Sequence, residues 1–135
     1  MKTIQFKYET PDPENLNELN QFLMEHPMRE LHLQECNGYL CKTQTFSPDT
    51  RQLTSTSFTY GLNSIVLSVQ ESQENEEGLV YHAAMFAIRS ELSHEQVIEL
   101  WRQMNPQYVI RISSISCFEE DNMNGYLLFY HLKQE

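Results

Sequence analysis

The chain has 135 residues, 40% of them hydrophobic and 21% charged, with only four glycines and five prolines. That size and mixture fit one globular domain over residues 1–135 and argue against long low-complexity tracts. Nineteen carboxylates against nine Lys and Arg give a formal charge of −10, and the bases are scattered singly, so the clustered cations that nucleic acids or anionic membranes require are missing from the sequence.

Residues 1–8 alternate in polarity, which predicts a strand over 2–8 and not a signal peptide. Asp12 then reads as a helix N-cap, followed by Pro13 and by Leu16, Leu19, Phe22 and Leu23 at helical spacing. The helix ends before Pro27, because the residue preceding a proline leaves the α region. Strands are expected over 30–36, 39–46, 53–60 and 64–71, where β-branched and aromatic residues cluster. Asn37-Gly38 reads as a two-residue hairpin turn between the first two of these. Residues 79–88 are apolar apart from His82, which suits a central strand and falls short of the roughly 20 residues of a membrane helix. A second helix is announced by Ser93 and Gln96 in a capping-box pattern, with Val97, Leu100, Trp101 and Met104 as its apolar stripe. Two last strands, 107–117 and 125–133, follow Pro106.

These elements define an α+β fold: a mainly antiparallel sheet with two helices packed on one face. The order strand, helix, strand, strand occurs in residues 2–46 and again in 79–133, which is open to two readings: two β-α-β-β units, or the coincidence that any α+β sheet of this size produces, since the segments share no residue-level repeat. Two segments, 71–78 and 119–125, are acidic loops.

Catalytic signals are weak. His32, His82 and His131 fall on predicted strands, with Cys36 or Cys117 as further ligands, but no HxH, HExxH or CxxC pair supplies two ligands from one element. No GxSxG elbow or glycine-rich phosphate loop occurs, and no cofactor is implied. The three cysteines, Cys36, Cys41 and Cys117, are odd in number and lack metal spacing, so reduced thiols and a cytoplasmic location are expected. An Asn37-Gly38 hairpin would hold Cys36 and Cys41 about 7–8 Å apart, beyond disulfide reach.

The sequence therefore points to a non-catalytic protein-binding module, a small acidic inhibitor or neutraliser of a basic partner, of the kind found among immunity proteins, antitoxins and phage inhibitors. The expected contacts are Glu74, Glu76, Glu77, Glu119, Glu120 and Asp121, with Tyr39 and Tyr60 as exposed aromatic anchors. A small-molecule or metal-dependent enzyme with a cavity between sheet and helices is the first alternative. A homodimer formed at an open sheet edge is the second.

Overall fold

The computed structural model describes residues 1–73, 77–89 and 91–134, with Leu53 and Thr54 described by their backbone alone. Along the described chain run β1 (Lys2–Asp12), α1 (Asn15–Glu25), β2 (Met28–Phe46), β3 (Leu53–Glu71), β4 (His82–Ile88), α2 (His94–Met104), β5 (Tyr108–Phe118) and β6 (Met123–Leu132). The fold is α+β and antiparallel. Its strands divide between two three-stranded sheets, ordered β1-β3-β2 and β4-β6-β5. Each sheet is one β-α-β-β unit whose last strand lies in the middle, so the same topology is used twice. The first unit extends to Glu71 and not, as its sequence suggested, to residue 46, because four expected strands fuse into two.

The fusion has a physical cause at Asn37-Gly38. These residues do not turn; Asn37 pairs with Ser64 and Gly38 with Leu62, leaving Asn63 as a bulge on β3. The actual hairpin loop lies at 47–52, where the Arg51 amide donates to the Ser47 carbonyl at 2.9 Å and Arg51 takes a left-handed φ of 56°. Gly38 is needed for space instead. A Cβ there would overlap the Tyr60 ring.

The helix signals transfer closely. α2 begins with Ser93 accepting from the Gln96 amide at 3.2 Å while the Gln96 side chain accepts from the Ser93 amide at 2.9 Å. At α1 the Asp12 carboxylate accepts from the Glu14 amide at 2.8 Å, but Asp12 still belongs to β1, and the helix opens two residues after the expected position.

One core lies between the sheets. Leu19 and Leu23 of α1 are fully buried against Ile65, Leu67 and Val69 of β3 on one side and Ala83, Leu127 and Phe129 of the second sheet on the other. Fully burying each such leucine is worth about 1.5–3 kcal/mol. A smaller core forms on the reverse of β6, where Tyr126 and Leu128 meet Val97 and Ile98 of α2. The first sheet, α1 and one face of β6 thus share the larger core, and α2 covers the other face of β6. The two helices lie on opposite faces of the second sheet instead of sharing one, because β6 is apolar on both faces.

Two side chains lock the units together. The Asn20 amide bonds both ways to the backbone of β4, accepting from the Ala83 amide at 2.7 Å and donating to the Ala83 carbonyl at 2.9 Å. Tyr60 of β3 reaches Ser116 of β5, with 3.1 Å between hydroxyl oxygens, and sets its ring edge-on to Phe118.

Beyond Leu62 the first sheet narrows. β1 ends there, its last pair being Asp12 with Leu62. The Asn15 amide caps the end by donating to the Leu62 carbonyl at 2.7 Å. Residues 39–46 and 53–60 continue as a two-stranded ribbon, which is anchored near its base. Phe58 lies between Lys42 and Arg89, each cation 5.7 Å from the ring centroid, and Lys42 pairs with Asp121 at 3.9 Å.

Candidate interaction surface

The three strand histidines do not converge. His32 is exposed beside Glu30, at 3.7 Å, on the polar outer face of the first sheet. His82 stacks on Tyr130 with centroids 5.4 Å apart, facing α2. His131 is buried on the other face of β6, where its Nε2 accepts from Arg111 Nε at 2.8 Å and its Nδ1 donates to the Leu132 carbonyl at 2.7 Å. Among the described residues no group of three or more His, Cys, Asp or Glu side chains is placed to hold a metal ion. Cys36, Cys41 and Cys117 are free thiols, as expected. Burial pushes the Cys36 thiol up to about 11, so it stays protonated near neutrality.

Of the expected contact residues, Glu74 and Glu76 lie outside the described residues. Glu77, Glu119 and Glu120 are exposed. Asp121 is half-buried and already engaged by Lys42. The two acidic loops stand far apart. Glu77 precedes Leu79, which pairs with Met28 at the start of β2, whereas the 3-10 turn Glu119–Asp121 contacts Lys42 further along the same strand. Met28 and Lys42 are fourteen residues apart, so at about 3.3 Å per residue roughly 46 Å of strand separates them along β2. The acidic residues therefore form two poles instead of one patch.

Tyr39 is 52% exposed, as expected, on the ribbon face opposite Lys42. Tyr60 corrects its expectation. It is only 4% exposed, because its ring is the wedge between the units, and burial raises its phenol above the ordinary value.

The most extensive exposed apolar surface on a helix belongs to α2 and the residue just before its cap. Leu92, Leu100 and Met104 are 42%, 45% and 80% exposed. The sequence stripe through Val97, Leu100, Trp101 and Met104 is corrected: the buried side of α2 carries Val97, Ile98 and half-buried Trp101, about 100° of arc away from Leu100 and Met104. Glu95 and Glu99 flank the exposed apolar side chains, with Gln96 and Gln103 between them. A shallow depression over Leu92, Gln96, Glu99, Leu100 and Gln103 adjoins a cleft of about 600 Å³ between α2 and β5, floored by Ile98, Ser113 and Ile115 and rimmed by His94, Glu95, Glu99 and Arg102. His94 Nδ1 lies 2.8 Å from the Tyr126 hydroxyl, which ties the start of α2 to the centre of the sheet. A second stripe was readable in principle, since Leu92, Gln96, Leu100 and Met104 recur every four residues.

No protein-family model, no curated protein and no solved structure matches the chain. Its class is defined by its own architecture, an α+β protein of two stacked β-α-β-β units. No helix among the described residues is long and apolar enough to cross a membrane.

Proposed function

We propose that the chain is a non-catalytic protein-binding module, a small acidic inhibitor or neutraliser that holds a basic partner protein inside a reducing, cytoplasmic compartment. The observation that carries this reading is the outer face of α2, where exposed Leu92, Leu100 and Met104 run beside Glu95 and Glu99. A helix with one apolar and one acidic flank is complementary to a groove that is apolar along its floor and basic along its rim, the mode in which an amphipathic helix lays its apolar face into a groove. Carboxylates around the anchors steer a cationic partner and set specificity, while the desolvated aliphatic side chains supply most of the affinity. Glu119 and Glu120 at one pole, Glu77 at the other and Tyr39 on the ribbon serve as outlying contacts. The three free thiols fit a reducing compartment.

The test is capture from host lysate at low salt, with the retained protein identified by mass spectrometry, purified and measured by stopped-flow. Wild type is expected to retain one basic protein that Glu95→Lys/Glu99→Lys and Leu100→Ser/Met104→Ser both release. Equal retention by these variants, or no specific retention, overturns the reading.

A further inference from the structure

We infer that the chain forms a twofold dimer by pairing residues 53–60 of β3 with the same segment of a second copy, antiparallel and edge to edge. β3 is flanked by β1 and β2 over residues 62–69, but over 53–60 only β2 pairs with it among the described residues. Its sequence does not change at that point. From Leu53 to Gln70 it carries no charged residue. Among the described residues the other edge strands each carry charge or are met by side chains, β5 at Ser116 by the Tyr60 hydroxyl. β1 carries Lys2, Lys7, Glu9 and Asp12, β2 carries Arg29, Glu30, Glu35 and Lys42, β5 carries Arg111, and β4 is short and has its Ala83 backbone bonded by the Asn20 amide. Charges, short length and covering side chains are the devices that keep edges from pairing. Residues 53–60 carry no charge of their own, and the cations near them, Lys42 and Arg89, lie over the Phe58 ring.

Charge selects the occupant. Eighteen of the nineteen carboxylates lie outside residues 36–70, which contain only Asp49, set in the hairpin loop beside Arg51. Two molecules of net charge −10 repel over most of their surfaces. The ribbon strands themselves carry no carboxylate, and Asp121, which reaches the ribbon from the second unit, is paired with Lys42 of β2. An antiparallel axis through Thr56 sets Ser55 against Ser57 of the partner subunit, hydroxyl-bearing pairs that suit adjacent strands. The incoming strand lies collinear with β1 in the slot that β1 vacates at Asp12. Ser55, Thr56 and Ser57 are exposed and open to that approach. The β2 edge of the ribbon, by contrast, bears Lys42, already committed to Phe58 and Asp121.

Light scattering behind size exclusion tests the dimer directly. Wild type is expected at about twice its 16.0 kDa chain mass, and Ser55→Lys/Ser57→Lys, which brings four lysines together across the axis, at one chain mass with unchanged circular dichroism. A wild type that stays monomeric at millimolar concentration overturns the inference, and so does a variant that folds and remains dimeric. Should the lysine variant lose its structure, Thr56→Cys in a Cys117→Ser background decides: oxidation is expected to give a disulfide-linked dimer, and failure to cross-link while Tyr39→Cys does so overturns the assignment. Loss of the dimer leaves the α2 surface intact, so its failure and that of partner binding are read separately.

Discussion

Tyr60 occupies a slot made by two absent side chains. Gly38 of β2 and Gly125 of β6 both face its ring, and a Cβ on Gly125 would lie 2.9 Å from the ring carbons. Neither glycine has a positive φ, so both are there for space. Gly125→Ala is expected to cost about 1–3 kcal/mol by overpacking, and Tyr60→Phe about 1 kcal/mol through the lost Ser116 hydrogen bond, both measured as shifts in urea midpoint. Cys36 gives a pH signature. Its thiol titrates near 9.0 when unfolded and at about 11 in the fold, so the unfolded chain loses this proton first. Stability from this group is complete below pH 9 and is lost as pH rises toward 11. Replacing Cys36 with Ala should flatten that part of the profile, and a profile unchanged by the replacement would refute the assignment. None of this was legible in the sequence, where Tyr60 beside Gly61 read as an exposed aromatic anchor and Asn37-Gly38 as a turn. The partners that override those local signals, Ser116 and Gly125, lie more than fifty positions along the chain.

At the scale of elements, α2 shows what local signals settle and what they leave open. Its capping box was readable because both partners are three residues apart, and Ser93→Ala should cost about 1 kcal/mol of stability. Its buried side was misassigned because Val97 belongs to two overlapping apolar arcs, and only the position of Tyr126 and Leu128 selects the arc containing Ile98. The assignment predicts unequal costs: Ile98→Ala about 2 kcal/mol or more, Leu100→Ala within about 0.5 kcal/mol, both by chemical denaturation. The apolar stripe of α1 was read correctly at Leu19 and Leu23, which are buried, while its start lies two residues later than Asp12-Pro13 suggested. The Asn20 clamp was invisible, since an asparagine in mid-helix is ordinarily solvated. Asn20→Ala removes two bonds to the Ala83 backbone and should lower stability by about 2 kcal/mol.

Across the whole molecule, charge is distributed along the architecture instead of gathered on one side. The acidic poles sit at distant points of β2, the ribbon is almost free of carboxylates, and α2 carries its own row. Association with a basic partner should slow steeply as salt rises from 20 to roughly 150 mM, where exposed charges are screened beyond about 8 Å. A rate indifferent to salt would remove steering from the proposed function. The α+β class, the antiparallel pairing and the doubled unit were legible because they follow from alternation and element order. The division into two sheets was not, since it depends on which strands pair.

The placement of β6 has a consequence for synthesis. It is the central strand of the second sheet and the last strand of the fold, with Leu127 and Phe129 in one core and Tyr126 and Leu128 in the other. On the ribosome, β4 and β5 have no common neighbour until β6 has left the exit tunnel, and Leu19 and Leu23 have only one of their two walls. At about 5–20 residues per second, the delay between the end of α1 and the end of β6 is on the order of ten seconds. Throughout that delay the nascent chain presents the unfinished side of α1 to whatever chaperones attend it, and the final strand closes both cores at once.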